Sequence, residues 1–197
     1  KWRSVYLRIK RDLHFRWEWA RDEQRRNTSI LVDETGLTAS RPLHAGKNPV
    51  VFASTPLTRR HCHFRVGLKA LAMWVSVGVA DAAFLEHAGK IIGTQNDCLN
   101  SSYFWQNTGI ARVQTSSMET QDVAAVRKGS VVDVRVDFDR QQLLYWVDDR
   151  LQCALDFSAF RFPLREGVLY PCSNIGTGTE VVFLNHDLPS FDLSLPA

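Results

Sequence analysis

From Ile30 to Leu184 the sequence alternates between short apolar/polar stretches and clusters of turn-forming residues, and that rhythm constrains the fold more than any other feature. Candidate strands run Ile30–Asp33, Leu37–Ser40, Val50–Ser54, His61–Leu68, Met73–Ala80, Ser102–Trp105, Val131–Asp137, Leu143–Val147, Leu151–Leu155, Leu169–Asn174 and Glu180–Leu184. Side chains on a strand alternate between faces, so each stretch offers one apolar face to a core. Glycine, proline and Asn/Asp clusters punctuate them about every eight to twelve residues, the pattern of an all-β sandwich or barrel. Asp148-Asp149 predicts a tight hairpin, because aspartate tolerates the backbone angles of a two-residue turn. Asp33-Glu34-Thr35-Gly36-Leu37 reads as another hairpin. No internal repeat and no low-complexity stretch interrupts the series.

The beginning of the chain reads differently. Trp2, Val5, Tyr6, Ile9, Leu13, Trp17 and Ala20 recur at spacings of three and four, which predicts an amphipathic helix over residues 2–26. Asn27-Thr28-Ser29 ends it with residues that compete for backbone hydrogen bonds. The expected organisation is a basic helix over residues 1–27, docked on the following domain or forming the tail of a neighbouring one, and a β domain over residues 28–197. Of the net charge of +3, the first 26 residues carry +5, with nine Lys/Arg against four acids, and the remainder sums to −2. A nucleic-acid reading would rest on that segment alone. Its apolar face and interspersed acids suit docking on protein better than tracking phosphates.

A length of 197 residues fits one domain with an appendage, and 45% hydrophobic with 11% aromatic residues excludes disorder. Cys62, Cys98, Cys153 and Cys172 stand 36, 55 and 19 residues apart, a spacing of no common zinc site. The even number leaves disulfides open. The low cysteine density and the lack of a visible signal peptide favour free thiols, hence an intracellular protein of cytoplasm or nucleus. The longest apolar runs are only a few residues, so no membrane span is expected.

Catalytic chemistry finds no foothold in the motifs. The sequence has no GxSxG, no HExxH and no paired-cysteine site. In His61-Cys62-His63, strand alternation puts the histidines on one face and the cysteine on the other, so the three do not converge on an ion. Gly176-Thr177-Gly178-Thr179 links two β segments without a following helix or lysine, so it is a hairpin loop rather than a phosphate cradle. Asp133 and Asp137 fall on one strand face about 13 Å apart, too far for a glycosidase pair. With Asp139, Asp148 and Asp149 they read as strand-end and turn residues. No catalysis, cofactor or metal is expected.

The order of landmarks resembles the SPRY (B30.2-like) family. His63-Phe64-Arg65-Val66 resembles its "heyWeV" strand, and Trp74 to Ala80 its "w.vGva" strand. Ser102-Tyr103-Phe104-Trp105 with Gly109 is similar to "sw.w...G", and Gly129 to Val134 with Asp137 to "GD.v.v..D". Leu144 to Asp149 resembles the "l.f..ng" hairpin, and Leu169-Tyr170-Pro171 through Gly176 to Val181 resembles "lyPav.l...g..v.i". Ser130 stands where the family has Asp, Tyr103-Phe104 where it commonly has Trp-Gly, and no clear Leu-Asp-Pro element precedes Val50. The resemblance spans about 120 residues and implies a two-sheet antiparallel β-sandwich, concanavalin-like, here preceded by the α-helix.

It also implies a protein-binding module whose loops at one end of the sandwich hold a peptide or protein surface. By position these are Ala39–Asn48 with Arg41 and Pro42, Asn107–Thr115 after Trp105 with Arg112 and Gln114, and Asn174–Thr179 with Thr177 and Gly178. Certain SPRY adaptors place a Trp near Thr177, so the same peptide motif is not expected here. Taken alone, Arg41 reads first as a solvated loop charge, Trp105 and Trp146 as core fillers before contacts, and Trp74 as core. Trp2-Arg3-Ser4-Val5-Tyr6-Leu7-Arg8 resembles the end of an F-box, which implies cullin-ligase adaptor partners and substrate recognition for ubiquitin transfer. The alternative is a lectin-like carbohydrate-binding sandwich, since fold alone does not separate the two.

Overall fold

The computed structural model describes residues 15–22, 26, 29–42, 50–81, 101–105, 110–114, 119–122, 124–158 and 164–184, the strands between 101 and 122 by their backbone alone. The strands are β1 (Leu31–Val32), β2 (Thr38–Ser40), β3 (Val50–Phe52), β4 (His63–Ala70), β5 (Val75–Asp81), β6 (Ser101–Trp105), β7 (Ile110–Gln114), β8 (Glu119–Asp122), β9 (Val131–Asp137), β10 (Gln142–Val147), β11 (Arg150–Asp156), β12 (Leu169–Ile175) and β13 (Glu180–Phe183). They form a seven-stranded sheet ordered β1-β2-β13-β4-β9-β10-β11 and a six-stranded sheet ordered β3-β12-β5-β6-β7-β8. Every neighbouring pair is antiparallel.

Alternation fills the space between the sheets. Phe64 and Val66 of β4, Val132, Val134 and Val136 of β9, and Leu143, Tyr145 and Val147 of β10 meet Val75, Val77 and Val79 of β5 and Ile175 of β12. β-Branched residues dominate because they pack well on a pleated surface. Tyr145 is wholly buried, whereas Trp146 is half-buried on the opposite, outer face, so the expectation that Trp146 fills the core is corrected. A two-residue hairpin joins β10 to β11 with Asp148 at φ 50° and Asp149 at φ 61°, as their sequence suggests. Asp148 also fastens the strand before it, accepting hydrogen bonds from the Val131 N–H at 2.8 Å and the Ser130 hydroxyl at 3.1 Å. Ser130 thus has its own use at the position where the resembling family carries Asp.

Two expectations are overturned. Among the described residues none is helical, and residues 15–20 are extended. Trp19 N–H donates to the Gly36 carbonyl at 2.7 Å, Ala20 N–H to Phe52 at 2.8 Å, and Ser54 N–H to Glu18 at 2.8 Å, so these groups bond to the β1–β2 turn, to β3 and to the chain just after it rather than along a helix. Isolated bridges join Trp19 to Ala53 and Arg26 to Val51, the latter covering the free edge of β3. The cause is a period of two, with Phe15, Trp17 and Trp19 packed on the core while Arg16 and Glu18 point away. Trp19 stacks on Phe183 with ring centres 3.9 Å apart, and Trp17 donates its indole N–H to the His63 carbonyl at 2.8 Å. The rest of the expected helix, residues 2–14, lies outside the described residues.

The second correction concerns Asn107–Thr115, expected as a loop. Residues 110–114 are β7, paired on both sides with β6 and β8. Backbone hydrogen bonding decides the matter, since Glu119–Asp122 of β8 has no apolar alternation to announce it.

Candidate functional site

Three connections meet where β2, β4 and β12 end and β5 and β13 begin. Ser40 of β2 and Ala70 of β4 both stand in register with Glu180 of β13, and the chain leaves the sheet just beyond that row. Arg41 N–H donates to the Thr179 carbonyl at 3.1 Å, and Gly178 N–H donates to the Arg41 carbonyl at 2.9 Å. Two of the three sequence-expected segments are thereby stitched together. The third participant is the turn before β5, where Gly176 N–H donates to the Trp74 carbonyl at 2.8 Å. A Cβ on Gly176 would lie 2.6 Å from the Trp74 oxygen, so the two turns touch only because residue 176 has no side chain. Gly178 has φ 72°, the left-handed region that glycine adopts without strain.

Arg41 is 3% exposed, so it is neither a solvated loop charge nor a surface contact. Its guanidinium reaches the Ile175 carbonyl at 3.4 Å, tying the two sheets together, and burial draws its pKa below the ordinary arginine value. The surface of this end is made by exposed Pro42, half-buried Thr177 and Gly178, half-buried Trp74 and Met73, which is 54% exposed. Trp74, expected as core, is therefore part of the rim. Met73 and Trp74 were missed as site residues because the apolar run Leu71-Ala72-Met73-Trp74 contains no turn former and reads as strand.

The remaining expected site residues do not all join this end. Trp105 pairs with Ser76 of β5, which brings its backbone close to the Trp74 turn. Arg112 pairs with Tyr103 in mid-strand, and Gln114 pairs with Ser101 toward the other end of β6. The outer face of the seven-stranded sheet carries an open trough of about 310 Å³ beside the same end, lined by Leu31, Asp33, Lys69 and Glu180 among others. Lys69 Nζ lies 3.3 Å from Glu180 Oε1. Burial alone would raise the Asp33 carboxyl, but hydrogen bonds from Thr35, Thr38 and Leu37 hold it below the usual aspartate value.

The aspartates and histidines that invited a chemical reading have structural partners. Asp133 Oδ1 lies 3.0 Å from His63 Nε2 and 2.7 Å from Arg65 Nε, and Asp149 pairs with Arg65 at 2.9 Å. Asp137 accepts from the turn N–H groups of Asp139 and Arg140 at 3.1 and 2.9 Å. His61 stacks on Phe15 at 3.6 Å while Cys62 packs against the core, so His61-Cys62-His63 is divided among different surroundings. Among the described residues no three His, Cys, Asp or Glu side chains could hold a metal ion. Cys62, Cys153 and Cys172 are free thiols, and burial pushes Cys153 up to about 11. No helix among the described residues is long and apolar enough to cross a membrane.

No protein-family model and no curated protein sequence matches the chain. Solved structures do. A human SPRY domain aligns with a TM-score of 0.62 at 20% identity, covering 82% of this chain and 98% of its own. The TRIM65 PSpry domain aligns with a TM-score of 0.63 at 14% identity, covering 91% of this chain and 95% of its own. The SPRY domain of human HERC1 aligns with a TM-score of 0.61 at 12% identity, over 85% of this chain and 99% of that one. At such identities the likeness speaks for the fold. The two antiparallel sheets and the ordered landmarks from His63 to Leu184 agree with that likeness, and the chain has a SPRY-like β-sandwich fold.

Proposed function

We propose that this chain is a non-catalytic protein-interaction module. It takes a peptide or an exposed protein segment at the end of the sandwich where Pro42, Met73, Trp74, Thr177 and Gly178 meet. One observation carries the reading: three separate connections are locked together by backbone hydrogen bonds, with glycine at the close approach of residue 176 to Trp74 and at the left-handed position 178, and with the large apolar Met73 left exposed at the same end. Rigid support under an apolar, backbone-rich surface suits peptide recognition, because little ordering cost falls on binding. Arg41 acts here by holding the turn in place. A lectin-like reading has less support, since the aspartates that would coordinate calcium are taken by Arg65, His63 and turn N–H groups.

We further propose that the module recognises substrates for a ubiquitin ligase inside the cell. The support is the F-box-like run Trp2–Arg8, which lies outside the described residues. Affinity capture from cell lysate with the intact chain beside Met73→Asp/Thr177→Arg tests both parts. Partners held by the intact chain and lost by the folded variant are the expected result. Cullin-adaptor subunits are expected to vanish when Trp2 and Tyr6 are replaced by Ala. Identical partner sets for intact chain and loop variant would refute the site.

A further inference from the structure

The turn before β9 belongs to the same end of the sandwich. Gly129 N–H donates to the Leu68 carbonyl at 2.8 Å, and Leu68 N–H donates to the Ser130 carbonyl at 3.0 Å, so residues 127–130 are tied to the last part of β4. In the sheet β4 lies between β13 and β9. The Leu71–Trp74 connection therefore leaves β4 with the Thr177–Gly178 turn on one side and the Arg127–Ser130 turn on the other. Next in line is the β10–β11 turn, whose Asp148 N–H donates to the Val131 carbonyl at 2.9 Å. Arg127, Lys128 and Arg150 are exposed on these turns, and among the described residues their side chains make no hydrogen bond or ion pair. The carboxylates nearby are engaged. Glu180 is paired with Lys69 at 3.3 Å, Arg65 holds Asp149 at 2.9 Å and the buried Asp133 at 2.7 Å, and Asp148 accepts from the Val131 N–H and the Ser130 hydroxyl. Asp33, farther off on the β1 side, is held by turn hydrogen bonds, with Arg21 and Arg26 on the Glu34 and Ile30 carbonyls beside it. The charge left without a partner at this end is positive.

We infer that the ligand is an acidic peptide segment, which seats an apolar side chain on Met73 and Trp74 and lays its carboxylates on Arg127 and Lys128. This rests on the proposed ligand site and adds the class of peptide it takes. The turn lies one strand spacing from Leu68, and Met73 follows Leu68 by five residues, so the apolar and cationic groups are within about 20 Å, the reach of about six extended residues. Gly129, at φ 91°, follows the two cations, and a Cβ there would meet nothing within 4 Å, so a peptide backbone has open ground beside them. The apolar contact supplies burial, and the cations supply selectivity and speed of encounter, as charges at an interface rim do. Arg127 adds a fork that grips a carboxylate with two hydrogen bonds. A basic peptide would meet the same unpaired cations and be rejected.

The test is selection of random short peptides displayed on phage against the intact folded chain, against Thr177→Trp and against Arg127→Glu/Lys128→Glu. The last two positions have no side-chain partners to lose, and thermal unfolding establishes that each variant is folded. The expected outcome is enrichment of sequences with two or more Asp or Glu within about six residues of a large apolar residue, lost on Thr177→Trp. A synthetic peptide of the enriched sequence should bind Arg127→Glu/Lys128→Glu about tenfold more weakly, and its acidic-to-Lys counterpart should bind that variant better than it binds the wild type. Its affinity for the wild type should also fall in about 1 M salt, where charges are screened beyond about 3 Å. Enrichment that Thr177→Trp abolishes but that shows no acidic preference, or no response to the double charge reversal or to salt, overturns the inference and leaves the ligand site standing. Enrichment that Thr177→Trp does not touch, or no enrichment on the wild type, overturns both.

Discussion

Arg41 shows how one residue can be located correctly by sequence and assigned the wrong task. Its place beside Pro42 marks the end of β2, but burial depends on Thr179 and Ile175, more than 130 positions away in the chain. Sequence spacing carries no signal for that. The role has a measurable consequence. Arg41→Ala removes a buried hydrogen-bonding group and is expected to cost about 2 kcal/mol of stability. Met73→Asp, at an exposed position, is expected to stay within about 0.5 kcal/mol and act on ligand alone. Denaturant unfolding of both variants separates the two roles. Asp33 gives a pH signature. Its folded pKa is depressed by the Thr35, Thr38 and Leu37 hydrogen bonds, so its contribution is complete above the unfolded value near about 4 and is lost as pH falls through the lower folded value. The melting temperature of Asp33→Ala should therefore lie below that of the wild type at pH 6 and converge with it in acid; a gap that is unchanged below about pH 3 would contradict this.

At the scale of elements, the eleven strands legible in the sequence are those with one apolar face, and all of them are present. β8 is not legible because Glu119-Thr120-Gln121-Asp122 offers no apolar alternation, and β7 was obscured by the loop its family counterpart suggested. At residues 15–22 the difference from the expected helix has another source. The spacing of three and four over residues 2–13 does not continue through Phe15-Arg16-Trp17-Glu18-Trp19, where the period is two. Those aromatics belong to the core of the sandwich, against Phe64 and Phe183. A chain of residues 28–197 lacks both tryptophans, each worth about 3 kcal/mol or more, against a domain stability of about 5–15 kcal/mol. Circular dichroism and thermal unfolding of that fragment should show no cooperative transition, and a transition matching the full chain would contradict the packing described. At the turns, Gly176→Ala forces a Cβ onto the Trp74 carbonyl and should separate them, lowering the melting temperature and weakening any peptide bound there.

The two ends of the molecule differ in kind. At the end opposite the site, Arg59 pairs with Glu166 at 2.5 Å and Asp139 at 3.0 Å, binding three connections with charges that also hold Glu166 below the usual glutamate range. Exposed ion pairs of this sort stabilise little, yet they leave that end polar and well solvated. At the site end the connections are joined by backbone hydrogen bonds, the buried Arg41 is turned inward, and Met73 is exposed. Only part of that asymmetry could be read in advance: the glycines and Arg41-Pro42 point to this end, while Leu31, Glu180 and Ala70 come into one row through strand register alone. The measurement that tests the account most directly is photocrosslinking in cells with a benzophenone amino acid placed at position 73 and, separately, at Ser158, an exposed position at the opposite end. The account expects discrete adducts from position 73 that disappear with Thr177→Trp, and none above background from position 158. Equal adducts from both positions, or adducts from 158 alone, would contradict it.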